Sequence, residues 1–442
     1  MKQFYFSLLL LLACTGKANS QNPVINSDFT ADPTARVFNG KIYMYPSHDI
    51  RNPEDPSDDW FCMADYHVYS SENLTDWTDH GIILEQNEIP WVEPNSYSMW
   101  APDCVYKDGK YYFYFPSTPK GEGRRGFNIG VATADNPEGP FTPAAEPIKN
   151  VFGIDPCVLV DTDGESYIYW SGMGISVAKL KPSMMELASE PIRVQGLPEG
   201  FKEGPFAFKR NDKYYLTFPW VENQTETLAY AMSDSPTGPF EFKGVIMEES
   251  PVGCWTNHHS IVEYNGQWYL FYHHNDYSPN FDKNRAARVD SLFFREDGTI
   301  KKVKATLRGV GITAAKNKIQ LDRYTSLSPY GAFIDYLNPA NPFEGWFLQI
   351  NRPEAWVIYN TVDFGSDTVK KMKARVRSEK GGKIVVRTSG ENGKPIAELP
   401  VKATNGWVEM NADVSYAPAG IQNLTVVSEG EYPVAIDWIS FE

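Results

Sequence analysis

The sequence of 442 residues is poor in cysteine and shows no convincing helical periodicity. Four of its 5 cysteines lie beyond the N-terminal segment, at Cys62, Cys104, Cys157 and Cys254. Their wide spacing, without a C-x-x-C pair, excludes a disulfide scaffold and a cysteine-based zinc site, so we expect buried thiols. The absence of a 3.6-residue apolar period disfavours helical bundles and indicates a strand-rich fold.

The chain also contains fewer positively charged than negatively charged residues. Lysine and arginine number 41 against 56 aspartates and glutamates, which gives a formal net charge of -15. Such an acidic surface repels phosphate backbones and disfavours anionic membranes and polyanionic substrates, so nucleic acid is excluded as a partner. Neutral polymers remain as the expected partner, and nothing in the sequence implies a protein partner.

Long apolar runs are confined to the N-terminal segment. Lys2 is followed by apolar residues 4–14, a stretch too short to span a bilayer but typical of an export signal. The segment LLAC ending at Cys14 is similar to a bacterial lipobox, whereas ANS ending at Ser20 fits ordinary cleavage. The sequence therefore predicts a signal peptide over residues 1–20 and an exported protein of a Gram-negative bacterium, either periplasmic or anchored in the membrane as a lipoprotein.

Aromatic residues make up 14% of the chain, and many of them recur in a repeated segment. Five segments combine a tight turn with an aromatic-rich strand, and a short apolar strand precedes each one. They are NGKIYMYP from Asn39, DGKYYFYF from Asp108, DGESYIYW from Asp163, NDKYYLTF from Asn211 and NGQWYLFY from Asn265. Asn-Gly and Asp-Gly pairs commonly join antiparallel strands. Five such hairpins predict a five-bladed β-propeller over residues 22–315.

The pattern fades after Gly298, and a different run of strands follows. Residues 320–442 carry Gly-rich turns at Gly381 and over residues 390–393, and this length suits a separate β-sandwich. We therefore predict an all-β chain in which a five-bladed propeller is followed by a β-sandwich of the jelly-roll type.

The first strand of each propeller blade lines the central channel, so residues at its start are expected to face the axis. Read blade by blade, these positions hold four carboxylates and one histidine: Asp32, Asp103, Asp155, Glu203 and His258. Asp103 is displaced along the repeat and is open to a structural interpretation. Crowded carboxylates cost energy unless they are protonated, paired or bound to cations, so the cluster indicates function.

Two carboxyl groups on opposite faces of a sugar are the minimal set of catalytic groups for cleaving a glycosidic bond. One must be held protonated so that it can protonate the leaving oxygen, and the other must be ionised so that it can activate water. A third carboxylate can raise the pKa of the acid by like-charge repulsion. The cluster therefore predicts glycoside hydrolysis.

The motifs around these residues resemble those of glycoside hydrolase family 43. In chain order they are ADP from Ala31, DYHVYSS from Asp65, LTDW from Leu74, WAPD from Trp100, GIDP from Gly153, KEGP from Lys202 and HHSI from His258. The resemblance covers most of the predicted propeller and implies an inverting mechanism. Carried over by motif, Asp32 would be the general base, Glu203 the general acid, and Asp155 the carboxylate that tunes and orients the acid.

Further residues complete the predicted site. The resemblance implies that His258 lies at the propeller centre beside a calcium ion or hydrated cation, and it implies no organic cofactor. Arg285 would lie near the substrate, with Arg288 in the same RAAR segment as a rival. Trp100 offers a flat indole to the apolar face of a pentose, or it packs between blades. The inserted residues 50–61 are expected to shape the mouth of the pocket.

Most of residues 320–442 resembles a carbohydrate-binding module of family 6. The matching segments are QLDRYTSLS from Gln320, AWVIYNTVDFG from Ala355, GGKIVVR from Gly381, NGW from Asn405 and AIDWISF from Ala435. Gln320 and Asp322 stand where the family usually carries two glutamates, so the structural calcium of that family is in question here. Trp407 is the predicted stacking platform for a sugar.

The sequence therefore predicts an exo-acting, inverting glycosidase that releases α-L-arabinofuranosyl or β-D-xylosyl units from plant cell-wall polysaccharide. A β-xylosidase, or an endo-acting arabinanase or xylanase, is an alternative on the same fold. A non-catalytic sugar-binding propeller is an alternative of another class, because fold alone does not fix function. The complete set of acid, base and tuning carboxylate favours the enzyme.

Overall fold

The computed structural model confirms the predicted all-β architecture. It describes residues 21–122, 126–201, 203–366, 368–388 and 393–442. The predicted signal peptide over residues 1–20, with Cys14, lies outside the described residues, and so does most of the predicted turn over residues 390–393. Within the described ranges, no helix is long and apolar enough to cross a bilayer.

Five antiparallel sheets in the described part of the chain form the blades of the propeller. Blades 1 and 2 contain β1 Thr30–Phe38, β2 Lys41–His48, β3 Asp65–Ser71 and β4 Thr78–Glu85, then β5 Asp103–Lys107, β6 Lys110–Ser117, β7 Asn128–Ala134 and β8 Thr142–Pro143. Blade 3 contains β9 Ile154–Val160, β10 Ser166–Gly172, β11 Gly174–Lys179 and β12 Ile192–Arg193. Blades 4 and 5 contain β13 Phe206–Arg210, β14 Lys213–Val221, β15 Glu226–Ser233 and β16 Glu241–Met247, then β17 His259–Tyr264, β18 Gln267–His274 and β19 Ala286–Leu292.

The predicted turns join the first two strands in all five blades, and in four of them the first residue of the turn is left-handed. Asn39, Asp108, Asn211 and Asn265 have φ values of 51, 50, 53 and 51°. This left-handed region is tolerated by asparagine and aspartate, which explains their recurrence at the turn. Blade 3 differs, because its pairing begins only at Val160 with Ser166 and leaves a longer turn.

Buried side chains of the inner strands form hydrogen bonds from each blade to the next. Thr34 donates to the Pro102 carbonyl at 2.7 Å, and the Val158 N–H donates to Asp103 at 2.6 Å. The remaining three junctions are closed by Cys157 with the Ala207 N–H, His259 with Thr217, and Ser260 with the Pro33 carbonyl. Each such bond contributes about 0.5–1.5 kcal/mol net. The ring fixes the blades around the channel.

The N-terminal residues cover the outer edge of blade 5, which has three strands among the described residues. The Val24 N–H donates to the Ala287 carbonyl at 2.9 Å. The Asn22 side chain donates to the Val289 carbonyl at 3.0 Å and accepts from the Val289 N–H at 2.8 Å. An exposed strand edge is prone to pairing with other chains, and this segment forms hydrogen bonds with the backbone groups of that edge.

The C-terminal domain is a sandwich of two sheets in the described ranges. The first sheet contains β20 Thr313–Ala314, β22 Ser326–Leu327, β25 Trp356–Asp363, β27 Gly382–Thr388, β28 Pro395–Val401 and β30 Ile421–Ser428. The second contains β21 Ile319–Gln320, β23 Ala332–Tyr336, β24 Trp346–Ile350, β26 Lys371–Arg377, β29 Val408–Asp413 and β31 Val434–Phe441. Alternate residues Met372, Ala374 and Val376 of β26 point into the core between the sheets. Because β20 already pairs with β25, the sandwich begins before the predicted end of the propeller at residue 315.

The two domains are in direct contact. Tyr277 of the propeller stacks on Trp346 of the sandwich, with ring centroids 5.3 Å apart and an interplanar angle of 11°. Tyr336 donates to the Asp276 carbonyl at 2.7 Å.

The four cysteines of the propeller carry free thiols and are buried, as predicted.

Candidate active site

Asp32 and Asp155 both lie in β-bulges at the start of inner strands. In blade 1, Asp32 and Pro33 oppose a single residue of β2, and in blade 3, Asp155 and Pro156 oppose a single residue of β10. The two aspartates have φ values of 46 and 54°, a region that costs about 1–3 kcal/mol for a non-glycine residue. The same distortion at matched positions changes the direction in which both carboxylates point. Bulges often have this effect beside functional sites.

Glu203 is offset by one residue from this pattern. The left-handed residue before proline in blade 4 is Gly204, with φ of 63°, so Glu203 precedes the position that is equivalent to Asp32 and Asp155. A side chain at Gly204 would come within 2.9 Å of the Pro219 ring. The Gly204 N–H donates to Asp155 Oδ2 at 2.9 Å, which holds the half-buried Glu203 next to Asp155.

Asp103 does not share the position of the other carboxylates, so the predicted convergence of four is wrong for this residue. Its pairing with Tyr114 places it two residues further along its strand than Asp32. Asp103 is buried and accepts hydrogen bonds from Arg36 and from the Val158 N–H. Strands β5 and β6 pair without a bulge, so Asp103 occupies a regular strand position and forms a structural ion pair with Arg36.

Arg285 contacts the predicted base directly. Its Nη1 donates to Asp32 Oδ1 at 2.9 Å. Its Nε and Nη2 donate to the two oxygens of Asp49, each at 2.9 Å. All three side chains are buried. Arg288 is engaged elsewhere, in an ion pair with Asp276, so of the two rival arginines the structure places Arg285 at the site.

The surroundings of Asp32 stabilise its ionised form. The Ser47 hydroxyl donates to Oδ2 at 2.6 Å, and the backbone N–H of Asp32 donates to His273 Nδ1 at 3.0 Å. Burial alone would raise the pKa of Asp32, but Arg285, His258, His273 and Ser47 together lower it to about 2. This carboxylate is therefore ionised at neutral pH and is ready to accept a proton from water.

Asp155 has the opposite electrostatics. Burial and the neighbouring Glu203 raise the pKa of Asp155 well above its usual range, and Asp32 and Glu226 act in the same direction. The hydrogen bond from Gly204 opposes these effects without cancelling them. Two carboxyl groups that interact this strongly share a proton over a wide pH range. A proton is thus stored beside Glu203 at a pH at which Asp32 has lost its own.

His258, the predicted metal ligand, lies beside Asp32. Its Nδ1 is 3.6 Å from Asp32 Oδ1, and Arg285 donates to that same oxygen. Burial lowers the pKa of His258, so the ring is neutral at neutral pH. Calcium prefers about six to eight oxygen ligands, whereas the groups that act on this ring are an engaged carboxylate and a guanidinium. This donor set does not fit a directly coordinated calcium ion, and the calcium site stays a prediction.

Trp100 belongs to an aromatic wall that reaches Arg285. Its ring centroid lies 5.9 Å from that of Phe61 and 4.6 Å from that of Phe127, and the side chain is half-buried. The guanidinium carbon of Arg285 lies 5.0 Å from the centroid of Phe61. The inserted residues 50–61 therefore bring an aromatic ring to the edge of the site, and sugar stacking on Trp100 stays a prediction.

Three buried groups near the site were not predicted from the sequence: Asp49, His273 and Glu226. Asp49 and His273 lie at the ends of the second strands of blades 1 and 5, and Glu226 begins β15 and accepts from the Asn257 N–H at 2.8 Å. In an antiparallel blade the second strand ends beside the start of the first. Polar residues at those ends are therefore a signal that could have identified two of the three.

Trp407 lies on the outward face of the second sandwich sheet. It meets Phe347 edge-on at 5.3 Å, and the guanidinium carbons of Arg375 and Arg377 lie 5.3 and 4.9 Å from its ring centroid. These contacts cover part of the indole, so its use as a sugar platform stays a prediction. A cleft of about 790 Å³ lies next to it, and its lining includes Phe333, Gln349, Asn351, Asn405 and Tyr432.

Asp322, which stands with Gln320 at the calcium motif of the family, and the neighbouring Asp437 are engaged by nitrogen donors. Asp437 pairs with Arg375, and the Gln320 amide nitrogen, once oriented toward it, lies 3.2 Å from its Oδ1. Asp322 pairs with Arg323 at 3.0 Å. An amide and two guanidinium groups occupy the places where a cation would need oxygen ligands. This arrangement does not fit calcium.

Comparison with known families agrees with this geometry. A family model described as glycosyl hydrolases family 43 matches residues 20–300. The chain belongs to glycosyl hydrolase family 43. A second family model, carbohydrate binding module (family 6), matches residues 344–442. The chain is therefore a glycoside hydrolase with a carbohydrate-binding domain, and both resemblances predicted from the sequence are confirmed.

Individual relatives share either the propeller or both domains. A xylosidase/arabinosidase 43A of Humicola insolens is 41% identical over 63% of this chain and 98% of its own length. A β-xylosidase/α-arabinofuranosidase from a compost metagenome, solved with xylotriose in a calcium-free form, has a TM-score of 0.59 and 36% identity over 65% of this chain and 98% of its own. An arabinoxylan arabinofuranohydrolase from Bacillus subtilis, solved with cellotetraose, has a TM-score of 0.55 and 26% identity over 96% and 99% of the two chains.

Proposed function

We propose that this chain is an exo-acting, inverting hydrolase that releases α-L-arabinofuranosyl or β-D-xylosyl units from plant cell-wall polysaccharide. One observation carries the mechanism, namely the contrast between two buried carboxyl groups at one site. The pKa of Asp32 is lowered to about 2, whereas the pKa of Asp155, beside Glu203, is raised well above its usual range. An ionised base and a stored proton are the two requirements of direct displacement by water.

In the proposed reaction, Glu203 donates its proton to the glycosidic oxygen as the bond from that oxygen to the anomeric carbon breaks. Asp32 removes a proton from a water molecule that attacks the anomeric carbon from the opposite face. The single displacement inverts the configuration at that carbon. Asp155 keeps a proton on the acid pair through like-charge repulsion. Arg285, held by Asp49, orients the carboxylate of Asp32.

The choice of a pentose substrate rests on the relatives and on the aromatic wall. The names of the relatives, xylosidase/arabinosidase and arabinoxylan arabinofuranohydrolase, refer to pentosides. The half-buried Trp100 lies against Phe61 and Phe127, and Phe61 in turn lies 5.0 Å from the guanidinium carbon of Arg285, so this wall offers aromatic rings at the edge of the site. A β-xylosidase is the second candidate, because a relative from Xylanibacter ruminicola is named a β-xylosidase.

A panel of substrates tests the proposal. We expect the enzyme to hydrolyse nitrophenyl α-L-arabinofuranoside or β-D-xyloside, and to release free pentose from arabinoxylan and arabinan from the first time points. The Asp32→Asn variant serves as the matched control and should release none. Early release of oligosaccharides without free pentose would indicate endo action. A preference for hexosides over both pentosides would contradict the proposed substrate class.

Export is proposed on the basis of the N-terminal sequence. Lys2 and the apolar residues 4–14 support passage across the inner membrane. The location is then periplasmic after cleavage behind Ser20, or membrane-anchored if Cys14 is lipidated. The mass of the mature N-terminal peptide distinguishes the two routes.

A further inference from the structure

A group of metal-type ligands lies on blade 1 and has no part in the proposed hydrolysis. His48 ends β2, whereas Asp65 and His67 lie two residues apart on β3 and therefore share one face of the sheet. The pairing of Ser47 with Tyr66 brings His48 beside Asp65. One ligand atom from each of the three side chains lies within 4.8 Å of the others.

The distances within this group suit coordination of a small cation after a minor adjustment. His48 Nδ1 is 2.7 Å from Asp65 Oδ1, and His67 Nε2 is 3.8 Å from the same oxygen. Ligands of a tetrahedral zinc ion, bound at about 2.0–2.1 Å, are separated by roughly 3.3 Å. The first distance would have to open and the second to close by roughly half an ångström. A change of this size requires only small rotations of the three side chains, which are each partly exposed.

The far nitrogen of His67 carries a feature that is typical of metal-binding histidines. His67 Nδ1 is 3.1 Å from Asp79 Oδ1, so Asp79 fixes the ring and its tautomer while Nε2 faces Asp65. Carboxylates in this position orient histidine ligands and raise their basicity. An ion pair between His48 and Asp65 alone would not require His67 to be held in this way.

The group is partly exposed to solvent, and negatively charged side chains lie around it. The side chains of His48, Asp65 and His67 are 20, 12 and 14% exposed, so an ion can enter and water can complete its coordination. Asp28 and Asp49 are close enough to act on His48 electrostatically. Two imidazoles and one carboxylate are donors that suit zinc and related transition metals better than calcium or magnesium.

We propose that His48, Asp65 and His67 form a binding site for a zinc-class divalent metal ion, with water in the remaining coordination positions. The ion links β2 to β3. Because Ser47 and Asp49 flank His48 and hold Asp32 and Arg285, the ion stiffens the support of the catalytic base and takes no part in bond cleavage.

Metal uptake by the full-length protein tests this site. After treatment with a chelator, the protein is dialysed against Zn²⁺, and bound zinc is measured by plasma mass spectrometry. We expect one zinc ion per chain in the wild type and loss of that ion in His48→Gln and in His67→Gln. Asp79→Asn should weaken zinc binding about 10–100-fold. Zinc should raise the Tm of the wild type but not that of His67→Gln.

Two control variants make the result specific. His80→Gln removes an exposed histidine of the same blade, which contacts Ser70, and it should keep the full zinc content. His258→Gln should keep it as well, which separates this site from any cation at the propeller centre. The proposal is overturned if the wild type takes up no zinc, or if folded His48→Gln and His67→Gln both retain it. An ion pair without a metal would then describe these residues.

Discussion

The Glu203→Ala variant is expected to lose far more of its activity on natural polysaccharide than on nitrophenyl glycosides. The natural leaving group is a sugar alkoxide that needs a proton, so kcat/KM should fall about 10²–10⁴-fold. Nitrophenolate leaves with little help from an acid, so the loss on the aryl substrate should stay within about tenfold. Steady-state kinetics on arabinoxylan oligosaccharides and on nitrophenyl arabinofuranoside measure both values.

The control for this experiment is Glu222→Ala, which removes an exposed glutamate from the same blade and should leave both activities unchanged. Equal losses of Glu203→Ala on the two types of substrate would show that Glu203 does not act as the general acid. Since the Gly204 N–H donates to Asp155, a circular dichroism spectrum should accompany the kinetics to show that blade 4 is intact.

Asp32→Ala is expected to lose activity on both types of substrate by about 10²–10⁴-fold, because water must be activated whatever the leaving group is. Azide needs no general base, so it should restore turnover of the nitrophenyl substrate and form a glycosyl azide of inverted configuration. The fold should survive, because Arg285 remains paired with Asp49 at 2.9 Å and no buried charge is left uncompensated. Kinetics with and without azide, and NMR of the azide product, provide the measurement.

Asp163→Ala serves as the matched control for Asp32→Ala, since Asp163 lies exposed in the turn of blade 3. It should behave as the wild type. If a folded Asp32→Ala variant kept its activity on natural substrate but lost the aryl glycoside, or if azide gave no rescue, the base assignment would be contradicted. The contrast with Glu203→Ala therefore separates the two roles within one set of measurements.

The fold could be predicted because each repeat is marked by residues that determine local structure, namely a turn residue and the aromatic strand that follows it. Asn39, Asp108, Asn211 and Asn265 adopt left-handed turn conformations that few other residues tolerate, and each precedes an aromatic strand. With the fifth turn, at Asp163 of blade 3, the five copies fix the number of blades before any long-range contact is known. The closure by residues 22–24 along β19 could not be predicted, because one asparagine side chain and one backbone bond carry no periodic pattern.

The site could be predicted only to within a residue or two, because spacing does not reveal bulges. Asp32 and Asp155 lie in matching bulges, whereas Asp103 lies two residues deeper on its strand and binds Arg36. Glu203 reaches the site from one position earlier, with Gly204 in the left-handed conformation. These differences depend on register, and a shift in register changes which side chains face the axis.

The choice between the two arginines illustrates the same limit. Arg285 and Arg288 are three residues apart, so on an extended strand their side chains point to opposite faces and only one can reach Asp32. The pattern alone does not say which. The structure decides for Arg285, because Asp49 at the end of β2 binds its N–H and guanidinium and so aims it at Asp32.

The anomeric configuration of the first product tests the central claim, namely that Asp32 activates water while Glu203 protonates the leaving group. Proton NMR in D₂O follows the product released from a nitrophenyl α-L-arabinofuranoside or β-D-xyloside. The enzyme concentration is chosen so that hydrolysis is faster than mutarotation of the released sugar. A single displacement predicts the anomer opposite to that of the substrate, β-arabinose or α-xylose, as the first signal. First release of the anomer with retained configuration would require a covalent intermediate on a carboxylate, and it would contradict the account.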